Sequence, residues 1–107
     1  MSSDSPDKSF HKFTEIQNIP SGSGKASEIN GQEIAVFNDE GQLYAIDNSC
    51  PHRGAPLHEG ILRDGKVYCP WHCFDFDIKT GECGAVKGLD VNTYEVKVEE
   101  GTIYVKA

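Results

Sequence analysis

Two short clusters of metal-ligand residue types constrain this chain more than anything else in it. The first is Cys50-Pro51-His52 and the second is Cys69-Pro70-Trp71-His72, with residues 53–68 between them. Two thiols and two imidazoles at fixed short spacings, C-x-H and C-x2-H, read as a metal-site signature. A 107-residue chain is one domain and buries only about two-thirds of its unfolded surface. A bound metal centre would staple a core of that size.

Charge and patterning exclude several classes of function. The formal net charge is −7, from 10 basic and 17 acidic residues, and no basic stripe runs through the sequence. That argues against a nucleic-acid partner and fits a protein that docks on a basic face of another protein. No apolar run approaches the ~20 residues needed to span a bilayer. The opening segment MSSDSPDKSF is polar and carries no apolar signal core, so the expected location is the cytoplasm, without a membrane partner. In that compartment the cysteines point to metal binding in preference to disulfides.

The pattern between these landmarks is all-β. Residues 1–9 are Ser-, Asp- and Pro-rich and are expected to be a disordered tail. Phe10, Phe13 and Ile16 recur at every third position and fit neither helix nor strand cleanly, so a short strand is placed somewhere within residues 10–19. Further strands are expected at 25–29, 33–37 and 42–46, with turns at Asn30-Gly31 and across 38–41. Between the ligand clusters, Ile61-Leu62, the turn Arg63-Asp64-Gly65 and Lys66-Val67-Tyr68 form a small hairpin that delivers Cys69 at a strand end. Residues 74–78 alternate apolar and acidic. Residues 93–98 and 102–105 form a terminal hairpin around Glu99-Glu100-Gly101. Short strands with Gly turns and no helix of ten residues indicate an antiparallel sandwich or barrel.

The mixed composition of each cluster bears on the metal. Structural zinc sites usually pair like with like, as C-x(2–4)-C and H-x(3–5)-H. Here each loop brings one Cys and one His. Residues as close as Cys50 and His52 chelate one small tetrahedral ion awkwardly. They suit a wider object on which Cys reaches one metal and His another. A two-iron, two-sulfide cluster with two His on one iron is such an object. Pro51 and Pro70 stiffen the cysteines before them, Gly54 lets the backbone come close, and loop amides can donate to sulfur.

The segments CPHRGAPL and CPWHCFDFD, the following TGE, and the ending TYEVKVEEGTIYV together resemble the Rieske ferredoxins. They are equally similar to the small Rieske subunit of NAD(P)H-dependent nitrite reductase. The resemblance covers nearly the whole chain from Phe10. It implies a Rieske-type antiparallel β sandwich or barrel, with base strands in residues 10–46 and 80–107 and a cluster-binding subdomain inserted at residues 47–79. It implies one 2Fe-2S cluster, with Cys50 and Cys69 on the inner iron and His52 and His72 on the outer.

Departures from the family pattern also carry information. High-potential respiratory relatives join an extra Cys in each ligand loop by a disulfide, where this chain has Ala55 and Trp71. They place a Ser and a Tyr where this chain has Phe74 and Phe76. Fewer donors to the cluster imply a potential at the low end of the Rieske range, on the order of −150 mV. Cys73 and Cys83 are read as small apolar packing residues. His58 is read as a surface or loop-packing residue, His11 as exposed, Arg53 as solvated or partner-facing, and Trp71 as a cover for the cluster. Residues 84–90 lack the proline of the relatives' shielding loop and are expected to shield less.

The function these features imply is one-electron transfer, from a flavin reductase to a partner oxygenase or reductase. An oxygenase catalytic subunit would need a further mononuclear iron domain, for which this chain offers neither the length nor the histidines. One alternative is the small subunit of a nitrite reductase, bound to a large catalytic chain. Another, from a different class, is a zinc-bound β module that serves only for interaction.

Overall fold

Turn chemistry sets the chain's path. Four connections are two-residue turns with positive φ at both positions: Asn30-Gly31 (53°, 81°), Glu40-Gly41 (54°, 95°), Asp64-Gly65 (54°, 78°) and Glu100-Gly101 (51°, 79°). This is the type I′ geometry, whose twist matches that of the flanking strands. The computed structural model describes residues 9–50, 54–70 and 74–107. Among these, nine strands form: β1 (Phe10–Glu15), β2 (Gly24–Ile29), β3 (Gln32–Asp39), β4 (Gln42–Asp47), β5 (Ile61–Arg63), β6 (Lys66–Tyr68), β7 (Asp75–Asp77), β8 (Thr93–Glu99) and β9 (Thr102–Lys106). The only helical elements among the described residues are two three-residue 3-10 turns, Ile16–Asn18 and Leu57–Glu59.

The strands make two antiparallel sheets. The larger, nearly closed like a barrel, has the order β1-β9-β8-β4-β3-β2, and the smaller has the order β5-β6-β7. The smaller sheet is inserted between β4 and β8, as expected for an all-β protein of this type. The turn expected across 38–41 is tighter than the sequence indicated: Asn38 and Asp39 still pair in β3. Asn38 is buried, and its side chain accepts the Gly41 N–H at 2.8 Å while donating to the Ile19 carbonyl at 2.7 Å.

The threefold spacing of Phe10, Phe13 and Ile16 now has a cause. The β1–β9 register shifts between Lys12 and Thr14, so Phe13 is an extra residue in the strand. Phe10 faces outward, under the Lys97 ammonium at 4.4 Å from its ring. Phe13 and Ile16 pack on the inner side.

Two cores follow from the two sheets. One lies inside the larger sheet and holds Ile19, Ile29, Ile34, Val36, Ala45, Ile103 and Val105. The other lies between the two sheets and holds Ala35, Phe37, Ile46, Leu57, Val67, Phe76 and Ile78 together with three cysteines. Strand β3 serves both cores. Ile34 and Val36 face one, Ala35 and Phe37 face the other, and all four are at most 1% exposed. A strand covered on both faces needs a continuous apolar run, which is what Ile34-Ala35-Val36-Phe37 provides.

Candidate metal centre

The first ligand loop leaves β4, and the second leaves β6. Cys50 and Cys69 are 1% and 4% exposed and belong to the same core cluster, between the two sheets. The loops close in the same way. The Cys50 N–H donates to the Ala55 carbonyl at 2.9 Å, and the Cys69 N–H donates to the Phe74 carbonyl at 2.8 Å. Each cysteine thus opens a six-residue loop pinned at its two ends. In the first loop the Gly54 N–H also returns to the Cys50 carbonyl at 2.6 Å.

His52 and His72 lie outside the described residues, as do Arg53, Trp71 and Cys73 with the roles expected of them. Among the described residues no group of three or more His, Cys, Asp or Glu gathers to hold a metal ion. The described residues therefore place the two predicted thiols in one core cluster, with no third ligand among the residues described. Gly54 has φ of +76°, and a Cβ there would meet no protein atom within 4 Å. Its requirement is the left-handed backbone of the turn.

The residues present fit an iron–sulfur cluster. Two thiols share an apolar setting of Leu57, Val67 and Phe76. As thiolates they would be costly there without a cation to neutralise them. Soft thiolate donors suit iron–sulfur clusters. Phe76 is fully buried in this cluster and Phe74 packs against it, so both positions contribute apolar cover.

The stem of the first loop is the most heavily braced part of the site. Asp47 receives the Tyr94 hydroxyl at 2.5 Å and the Asn92 N–H at 2.9 Å. Burial, followed by the hydrogen bond to Asp47, pushes the Tyr94 hydroxyl well above the ordinary phenol range. Asn48, 1% exposed, reaches Glu33 on β3 and His58 beyond the loop. His58 is thus a loop-packing residue, one of the two roles expected of it. No periodicity in the sequence marks Asn48; the signal available was a polar residue two positions before a ligand. His11 is half-buried where exposure was expected, because the ring stands within 3.4 Å of both Ser9 Oγ and Asn30 Nδ2.

Beyond the second loop, Cys83 and Leu89 pack while the stretch between them is exposed. Cys83 bridges Phe76, and its sulfur accepts the Val86 N–H at 3.3 Å. Cys83 is buried, consistent with a packing role. Residues 84–88 are exposed, Val86 at 41%, while Leu89 returns to the core.

Comparison with known proteins identifies the family. The family model described as "Rieske [2Fe-2S] domain" matches residues 9–95. Apoptosis-inducing factor 3 of Homo sapiens is 36% identical over 93 residues, which is 86% of this chain; this chain spans only 15% of that protein's length. The ferredoxin component of the naphthalene 1,2-dioxygenase/salicylate 5-hydroxylase systems of a Ralstonia species is 37% identical over 85% of this chain and 88% of its own. Among solved structures, the ferredoxin of carbazole 1,9a-dioxygenase from Nocardioides aromaticivorans superimposes with a TM-score of 0.84 at 30% identity, covering 90% of this chain and 95% of that one. A putative NADH-dependent nitrite reductase small subunit from Mycobacterium tuberculosis gives 0.86 at 25% identity, covering 94% and 96%.

Proposed function

Since this chain belongs to the Rieske [2Fe-2S] family, we propose that it is a one-electron carrier whose Cys50, His52, Cys69 and His72 hold the cluster. The observation that carries this reading is the pair of matched loops. Each opens on a buried cysteine of one core cluster and is closed by the same hydrogen bond five residues on. When bound, the cluster supplies a single reversible electron at a potential set by its ligands and surroundings.

The chain's own residues seat and shield that group. Cys50 and Cys69 would hold one iron from two different supports, Cys50 shortly beyond the barrel strand β4 and Cys69 directly after β6. The apolar side chains of Leu57, Val67 and Phe76 keep water from the thiolates. By the family resemblance, His52 and His72 would hold the second iron. The expected potential stays at the low end of the Rieske range, because the side chains of Phe74 and Phe76 carry no hydrogen-bond donor where higher-potential relatives have a Ser and a Tyr.

The proposed electron acceptor is an oxygenase, by likeness to the Ralstonia ferredoxin component, which this chain matches over most of both lengths; the proposed donor is the flavin reductase that the family resemblance implies. A second reading, the small subunit of a nitrite reductase, is favoured by the likeness to the Mycobacterium structure. The cytoplasm is the proposed location: no helix among the described residues is long and apolar enough to cross a membrane, and a reducing compartment keeps four cysteines available as thiols.

The test is anaerobic reconstitution followed by metal analysis. Two irons and two sulfides per chain, with a paramagnetic signal on reduction that disappears in Cys50→Ala and Cys69→Ala, support the reading. One zinc and no visible absorbance would replace it with the interaction module. Co-purification with an oxygenase or with a large nitrite reductase chain decides between the two partner assignments.

A further inference from the structure

Two asparagines are the buried polar side chains among the described residues, Asn38 at 8% and Asn48 at 1% exposure. Asn38 serves a turn of the barrel. Asn48 stands two residues before Cys50, and every polar group it carries is engaged across the base of the first ligand loop. Its N–H donates to the Glu33 carbonyl at 2.9 Å, and its carbonyl accepts the Leu57 N–H at 2.7 Å. Its side-chain oxygen accepts the His58 N–H at 2.8 Å, and its side-chain amide donates to the Glu33 carboxylate at 3.2 Å.

These contacts settle how the two side chains face each other. The main-chain N–H of His58 can only donate, so the Asn48 atom it meets is the oxygen. His58 Nδ1 lies 3.1 Å from that same oxygen, and therefore carries the proton and donates it. The bracket spans both stems of the loop: residue 48 just before Cys50, residues 57 and 58 just after Ala55. An isolated bridge between Ser49 and Pro56 lies inside it. Burying a carboxamide is costly unless its partners are in place. An apolar residue would fill the position without that cost, but could not tie three segments at one point.

We propose that Asn48 and His58 are positioning residues, which together fix the first ligand loop to β3 and so set where the Cys50 thiol presents itself to the cluster. The inference rests on the electron-carrier reading for its purpose, but the geometry it claims belongs to the protein alone. It is therefore tested first without iron. Hydrogen exchange at the Cys50 and Gly54 amides reports the first loop, and exchange at the Cys69 amide reports the second loop as an internal control.

His58 is partly exposed, 29% for its side chain, so His58→Ala keeps the fold even where Asn48→Ala does not. His58→Ala speeds exchange at Cys50 and Gly54 by about tenfold, the factor for losing one ordinary hydrogen bond, and leaves Cys69 unchanged. His58→Gln, whose amide can donate to the same oxygen, restores the slow exchange. Asn38→Ala lowers stability without this loop-specific effect. In the reconstituted protein, His58→Ala shifts the paramagnetic signal of the reduced cluster and Asn38→Ala does not. Equal change at Cys50 and Cys69, no change at either, or failure of His58→Gln to rescue would overturn the inference. Failure of the unmodified protein to take up a cluster would overturn the electron-carrier reading and leave the exchange result to decide the bracket.

Discussion

Gly60 offers a test in which ordinary expectation and this structure disagree in sign. It links the 3-10 turn Leu57–Glu59 to β5 with φ of −79° and ψ of 179°, extended backbone that any residue adopts. Replacing such a glycine by alanine normally stabilises by about 0.4–1 kcal/mol, through the lost freedom of the unfolded chain. Here an added Cβ would lie 2.0 Å from the Tyr68 carbonyl oxygen, 3.0 Å from its carbon and 3.2 Å from the Leu57 oxygen. Carbon and oxygen ordinarily approach to about 3.3 Å, so the β6 backbone must retreat by roughly 1.3 Å. Tyr68 directly precedes Cys69, whose N–H closes the second ligand loop, so the strand has little room to yield. Overpacking of this kind costs about 1–3 kcal/mol and outweighs the entropic gain. Gly60→Ala should therefore lose about 1–2 kcal/mol, lowering the unfolding midpoint by about 5–15 °C at a fixed scan rate. The comparison is with Gly41→Ala, at φ of +95° with open space around it, whose cost is backbone strain alone. A Gly60→Ala protein with a midpoint at or above the parent would refute the close approach of the β6 backbone to Gly60.

Gly54→Ala acts by a different route. With φ of +76° and no clash, it costs about 1–2 kcal/mol in backbone strain, concentrated in the first loop. Its signature is faster cluster loss to a chelator, followed by visible absorbance, beside a fall in the unfolding midpoint comparable to that of Gly60→Ala. Tyr94 gives a pH dependence. Its folded-state value is raised above the ordinary phenol value of about 10, so its contribution is complete below that pH and is lost as pH rises beyond it. The stability difference between the parent and Tyr94→Phe, measured by denaturant titration, should shrink above about pH 10; a difference that stays constant there would show that burial and Asp47 do not together hold the proton on Tyr94. Stripping iron should loosen the small sheet before the barrel, because β5, β6 and β7 are three residues each and too short to stand alone. Amide exchange should rise first at Val67 and Phe76 while Ile34 and Val36 stay protected; simultaneous loss in both sheets would contradict this.

The strands were legible because turn and burial signals agreed along most of the chain. Asn30-Gly31 and Gly-ended turns at 41, 65 and 101 marked the hairpins, and each proved to be the tightest form of turn. The run Ile34-Ala35-Val36-Phe37 announced a strand without disclosing that its two faces serve different cores, since periodicity cannot distinguish one buried face from two. The β1 bulge appeared in the sequence only as an awkward threefold spacing; the extra residue is defined by pairing with β9, ninety residues away. At the site, residue type and spacing singled out Cys50 and Cys69, and the fold buries both in one core cluster. Asn48 was not, because its role depends on Glu33 and His58, which only the folded chain brings to it.

The two ligand loops are alike in closure but hang from different supports, and this bears on how the carrier works. The first is fixed to the barrel through Asp47, Asn48 and β3. The second is carried by a hairpin of short strands, whose link to the barrel is the apolar core that includes both cysteines. A group bound to Cys50 and Cys69 therefore joins two sheets that otherwise meet mainly through side-chain packing. Holding it from both sides limits how far the ligands move between charge states, since neither loop shifts without straining the other's support. The same arrangement places the burden of stiffness unequally. The barrel side is braced by hydrogen bonds that exist without the cluster, while the hairpin side, made of three-residue strands, would gain rigidity from a group held on Cys69. Substitutions in the barrel stem should accordingly alter the geometry of the bound site, and substitutions in β5–β7 should chiefly alter how long the site stays occupied.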